Sequence, residues 1–127
     1  MEHLKVLLVD DEIEWVDTLV ERLALRDIEA DLATTGDKAI KAIQDKDYDV
    51  VILDMVLQKT KGLDILKEMK TKRPSLPVIL VSGRCSDQDF EECRQEGAYD
   101  YLLKPVQIDK LIKSMKQAVA GQGDTAT

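Results

Sequence analysis

Cysteine is nearly absent. Cys85 and Cys93 are the only two, and their spacing matches no zinc or redox motif. A disulfide scaffold is excluded, and the expected state is two reduced thiols on or near one helix. There is one histidine, His3, at an end expected to fray, so it is read as solvent-exposed and not catalytic. Aromatic residues make up only 4% of the chain, and basic residues are outnumbered 18 to 25 by acidic ones. The resulting net charge of -7 argues against a surface for nucleic acid or a membrane. No apolar run approaches the length that spans a bilayer. The opening Met1-Glu2-His3-Leu4-Lys5 lacks the charged, apolar and small-residue regions of a signal peptide. A cytoplasmic location is the expectation. The 127 residues suffice for one domain with a sizeable core, without disulfides or a structural metal.

What the chain does have is alternation. Short apolar runs suited to buried parallel strands precede stretches with helical period. The runs are Lys5–Val9, Glu29–Ala33, Asp49–Leu53, Val78–Val81 and Tyr99–Leu103. Between them, Ile13, Val16, Leu19, Val20 and Leu23 are spaced for one helix face, with Trp15 at its edge. Ala39, Ile40 and Ile43 mark a second helix, and Leu63, Leu66 and Met69 a third after the loop through Gly62. Asp87 to Glu96 reads as a helix with few large apolar residues, Phe90 being the main one, stopped by Gly97. Ile108, Leu111, Ile112, Met115 and Val119 stripe the last helix. The segment Gly121–Thr127 is polar and flexible by composition, either a loose tail or the start of a linker, which places the domain at 1–120. Five strand–helix units imply an open, doubly wound α/β fold with a parallel sheet covered on both faces.

In such sheets ligands bind beyond the carboxyl ends of the strands. The first strand ends in Asp10-Asp11, the third in Asp54, the fourth in Ser82-Gly83 and the fifth in Lys104-Pro105. Each has an ordinary reading by itself; Asp10-Asp11, for instance, could simply cap the helix that begins near Glu12. Together they would gather carboxylates, a hydroxyl and an ammonium on one edge. Crowded carboxylates repel unless a cation joins them, and oxygen-only ligands suit Mg²⁺ or Mn²⁺. With a divalent cation beside it, Asp54 could act as nucleophile toward a phosphoryl group, forming an aspartyl-phosphate. Lys104 could pair with a phosphoryl oxygen, and Ser82 could donate to another.

The stretches Leu7–Asp11, Val51–Met55, Gly62, Leu80–Gly83 and Gly97–Pro105, in this order, resemble the receiver domains of two-component response regulators over Leu4 to Ala120. The resemblance implies a flavodoxin-like five-stranded parallel sheet of order 2-1-3-4-5. It implies Asp54 as phosphoacceptor, and Asp10, Asp11, Asp54 and the Met55 main-chain carbonyl as Mg²⁺ (or Mn²⁺) ligands. It implies Lys104 as the phosphate-pairing lysine before a cis proline, Ser82 at the switch hydroxyl and Tyr101 at the switch aromatic. It further implies a signalling role in place of metabolic catalysis. The phosphoryl donor would be a histidine kinase or phosphotransfer protein, and the output surface the fourth helix, fifth strand and fifth helix, where homodimers could form. Direct nucleic-acid binding by this domain is not expected. Departures are Gln58, where the family often has proline, and Val56 and Arg84 at positions that tune phosphoryl lifetime. Neither Val56 nor Arg84 is suited to orienting an attacking water, so slow hydrolysis is expected. A haloacid-dehalogenase-type phosphatase would need a second acid where Val56 stands. A flavodoxin-type electron carrier would not place Asp10-Asp11 against a flavin phosphate.

Overall fold

In the computed structural model, residues 3–57, 61–83 and 87–124 are described. Gln58, Arg84 and Cys85 lie outside them. The order is β1 (Leu4–Val9), α1 (Ile13–Ala24), β2 (Ile28–Ala33), α2 (Gly36–Asp45), β3 (Val50–Asp54), α3 (Gly62–Lys72), β4 (Val78–Ser82), α4 (Asp87–Gln95), β5 (Asp100–Leu103) and α5 (Ile108–Asp124). The five strands pair in parallel in the order β2-β1-β3-β4-β5. The predicted flavodoxin-like α/β sheet is the observed one.

Strand periodicity of two divides the core into two layers. Leu7, Val9, Val51, Leu53, Val78 and Leu80 point to one face, where Ile40, Ile43, Leu66, Met69 and Cys93 cover them. Val6, Leu8, Val50, Ile52, Ile79 and Val81 point to the other, under Val16, Leu19, Leu23, Leu111 and Met115. β3 and β4 are buried at every position, which is why they read as continuous apolar runs and not as alternating ones.

Local signals set the helix ends. The Thr35 hydroxyl accepts a hydrogen bond from the Lys38 N–H at 3.2 Å and starts α2. Gly97 takes a φ of 104° just after α4, a conformation in which a side chain is strained. Two expectations shift. Ile13 is 56% exposed, because it opens α1 beyond the end of β1 where no sheet lies beneath it. The helix α5 continues to Asp124, past the Gly121 at which the flexible segment was expected to begin. A glycine costs about 1 kcal/mol in a helix interior, too little to halt a helix already nucleated on a packed stripe. Among the described residues no helix is long and apolar enough to cross a membrane.

Candidate functional site at the carboxyl edge of the sheet

Register brings the strand ends together. Val9 lies opposite Leu53 and Asp54 opposite Val81, so Asp10, at the exit of β1, stands beside Asp54, the last residue of β3. Main-chain bonds extend the alignment past the strands. Asp10 N–H donates to Ala33 O at 3.1 Å, Met55 N–H to Val81 O at 3.0 Å and Lys104 N–H to Ser82 O at 2.9 Å. The result is an open cleft of about 820 Å³ lined by Asp11, Glu12, Asp54, Val56, Leu57, Ser82, Gly83 and Lys104. The hollow around Tyr48 and Arg73 lies at the C-terminal end of α2 and holds none of these groups.

Asp10, Asp54 and Ser82 are only 2%, 5% and 1% exposed. Burying carboxylates this deeply requires a partner, and Lys104 supplies it. Its Nζ lies 2.6 Å from Glu12 Oε1, 3.0 Å from Asp10 Oδ2 and 3.4 Å from Asp54 Oδ2. The same ammonium sits 4.8 Å from the centroid of the Trp15 ring. Trp15, at the edge of the apolar face of α1, packs against the α1–α5 layer and also faces this lysine. The Lys104–Pro105 bond is cis.

Asp10 serves structure and site together. Its Oδ1 accepts from the Glu12 N–H at 2.9 Å, fixing the chain at the start of α1, while its Oδ2 faces Lys104. The N-cap of α1 is Glu12, without a side-chain capping bond, so Asp10 orders the turn ahead of the helix and does not cap it. Asp54 Oδ1 likewise accepts from the Val56 N–H at 3.1 Å. The Met55 carbonyl accepts from the Gly62 N–H at 2.9 Å and retains a second lone pair. Gly62 is required at that point, since a Cβ there would lie 2.7 Å from Met55 Cα.

Burial pushes the Asp54 carboxyl above its ordinary value; the Val56 N–H pulls it down, Asp10 pushes it up and Lys104 opposes. Burial disfavours the Lys104 ammonium, yet its hydrogen bonds to Glu12 and Asp10 and the charges of Asp10 and Asp54 hold it above the ordinary lysine range. The pair is thus a charged lysine against a carboxylate raised in energy by its surroundings.

Of the residues expected in the site, Asp10, Asp11, Asp54, Ser82 and Lys104 share this edge, and the Met55 carbonyl follows Asp54 directly. Tyr101 is not part of the cleft lining. Its ring lies on the α4 side, 4.8 Å from that of Phe90, with its hydroxyl buried. Glu12 is the residue that sequence reasoning missed. Carboxylate oxygens of Asp10, Glu12 and Asp54 lie within 4.8 Å of one another. The signal was present as a third acid following Asp10-Asp11, but at a helix start an acid also has an ordinary explanation.

The chain matches the response regulator receiver domain over residues 6–116. It is 34% identical over 119 residues to the transcriptional regulatory protein ZraR of Klebsiella oxytoca, covering 94% of this chain and 27% of that protein. The receiver domain of NtrX from Brucella abortus is 34% identical, with a TM-score of 0.84 over 91% of this chain and 98% of that one. A CheY-like receiver domain protein from Methanospirillum hungatei JF-1, at 23% identity, shares the fold with a TM-score of 0.92 over 98% of this chain and 99% of that one. The chain spans about a quarter of the length of curated relatives such as ZraR. On the match across most of its length, supported by a sheet of the same order, this chain belongs to the response regulator receiver domain family, the signalling domains of two-component systems.

Proposed function

We propose that the chain is a phosphorylation switch that accepts a phosphoryl group on Asp54. The single observation that carries this reading is the convergence of Lys104 Nζ on Asp10 and Asp54, at 3.0 and 3.4 Å, in a cleft open to a donor. In the proposed step an Asp54 carboxylate oxygen attacks phosphorus. The bond from phosphorus to the donor's nitrogen or oxygen breaks, the leaving group keeps the electron pair, and an acyl phosphate forms on Asp54. Lys104 holds one phosphoryl oxygen by charge, and the Ser82 hydroxyl at the end of β4 donates to another.

The site's donors are oxygens, which suits Mg²⁺ or Mn²⁺. Asp10, Asp11, Asp54 and the Met55 carbonyl would hold such an ion, and its charge would offset that of the incoming group. Asp10 is already fixed by the Glu12 N–H, so this part of the set is oriented before any ion arrives. On this reading the donor is a histidine kinase or phosphotransfer protein of the same cytoplasmic signalling system.

The output surface is α4, β5 and α5. Drawing the Ser82 hydroxyl toward a phosphoryl group would move the end of β4, and Tyr101 would transmit that change to α4 through Phe90. The helix α4 buries only Cys93 fully, which suits an element that shifts. Homodimerisation through this face, and control of a partner or of an output region in a longer protein, complete the proposal; direct nucleic-acid binding by this domain does not belong to it.

The test is intact mass after incubation with Mg²⁺ and a small acyl-phosphate donor. One added phosphoryl group is expected for the wild type and none for Asp54→Asn. An equal gain in Asp54→Asn would refute the assignment.

A further inference from the structure

At rest, the three protons of the Lys104 ammonium all have carboxylate partners: Glu12 at 2.6 Å, Asp10 at 3.0 Å and Asp54 at 3.4 Å. The Trp15 ring stands against the same group at 4.8 Å. A lysine so surrounded has nothing left for a phosphoryl oxygen until one carboxylate releases it.

The three candidates for release differ in what release costs. The Asp10 side chain is 3% exposed, and parting it from Lys104 would leave a buried charge without its cation. The Asp54 side chain is 6% exposed and is the reacting group itself, with the longest of the three contacts. The Glu12 side chain is 62% exposed. Once released it is rehydrated at little cost, as for any rim carboxylate. Yet at rest it makes the shortest contact with the ammonium. Its main chain is fixed by Asp10, so its carboxylate starts from a set position at the rim.

We propose that Glu12 is a positioning residue that parks Lys104 at rest and surrenders it when Asp54 is phosphorylated, so that it restrains phosphoryl uptake. This rests on the reading of Asp54 as acceptor. Glu12 competes with the phosphoryl group for one cation, and its negative charge stands beside the path of an anionic donor. Removing it speeds uptake. Gln, with an acceptor oxygen of the same reach but no charge, restores part of the hold.

Trp15 is the only tryptophan, so its emission reports the position of Lys104. The experiment compares wild type, Glu12→Gln, Glu12→Ala and Asp54→Asn in two readouts. One is resting Trp15 emission without metal or donor; the other is the rate of phosphoryl uptake from a small acyl phosphate with Mg²⁺, followed by intact mass. The expected result is uptake about two- to fivefold faster in Glu12→Ala, the rate equivalent of an exposed ion pair, with Glu12→Gln between it and wild type. Resting emission is displaced in Glu12→Ala and changes less on phosphorylation than in wild type. Uptake at or below the wild-type rate in Glu12→Ala, with Asp54→Asn unlabelled, would overturn the role of Glu12 alone. A wild type that takes up nothing, or an Asp54→Asn that labels fully, would instead bring down the acceptor assignment and the role of Glu12 with it.

Discussion

Two carboxylate–lysine groups in this domain use the same residue types to opposite ends. At the outer strand β2, Asp31 accepts from the Tyr48 hydroxyl at 2.6 Å and from Lys46 Nζ at 3.2 Å. The Tyr48 hydrogen bond holds the Asp31 carboxyl below its ordinary range; burial opposes it and Lys46 adds to the lowering. At the end of the central strand β3, Asp54 also faces a lysine, but burial dominates and holds its carboxyl above the ordinary range. The edge carboxylate ties Lys46 and Tyr48, just past α2, to β2. The charge of the central one is favoured by the Val56 N–H and by a lysine it must share. Depth in the sheet, more than the presence of an ion pair, decides whether folding lowers or raises the carboxyl.

Breaking the central group is expected to have the largest effect. Lys104→Met leaves Asp10 and Asp54 buried without their ammonium and should cost about 3 kcal/mol at pH 7 in urea unfolding. The deficit shrinks as pH falls and Asp54 takes up a proton. In the wild type, the folded Lys104 value lies above the ordinary lysine value. Its contribution is therefore complete below pH 10.5 and fades only as pH rises through the folded value.

A smaller effect of opposite sign is expected for Asp54→Asn. A folded carboxyl value above the unfolded one means that ionisation costs stability. That cost is present above the folded value and disappears as pH falls toward the ordinary carboxylate value. The variant should therefore be more stable than wild type by about 1 kcal/mol at pH 7, roughly 3–6 °C in Tm, with the gap closing near pH 4.

The smallest effect belongs to the edge. Tyr48→Phe should lose about 0.5–1 kcal/mol at pH 7, discounted because the Asp31 side chain is about one-third exposed. Asp31 is lowered on folding, so its contribution is present above the ordinary carboxylate value and is lost as pH falls through the folded value. Thermal melts at pH 7 and below 4 check both slopes. Phosphoryl uptake in Tyr48→Phe should match wild type.

Much of this was legible in the residues because the central strands are buried on both sides. Val50–Asp54 and Val78–Ser82 have no exposed position, so their apolar runs and the polar residues that end them stand out without any structure. The outer strands read less clearly, since Glu29 and Leu103 are exposed. Ile13 fits the helical spacing but opens a helix that begins beyond the sheet, and periodicity alone does not locate a helix end against the strand below. Glu12 went unread for a related reason. Its part in the site depends on Lys104 reaching from the end of β5 past β4 and β3 to the exit of β1, a distance in sequence of 92 residues. No local pattern encodes that reach. Spacing places Trp15 at the edge of the apolar face of α1, and its approach to Lys104 comes from the same crossing.

The most direct measurement is chemical trapping of the acyl phosphate. The protein is labelled with Mg²⁺ and a small acyl-phosphate donor, reduced with borohydride to convert a phosphorylated aspartate to homoserine, and mapped by peptide mass spectrometry. Conversion at residue 54 alone is the expected result. Conversion at Asp10, Asp11 or Glu12 with residue 54 unchanged, or no conversion of a labelled protein, would contradict it.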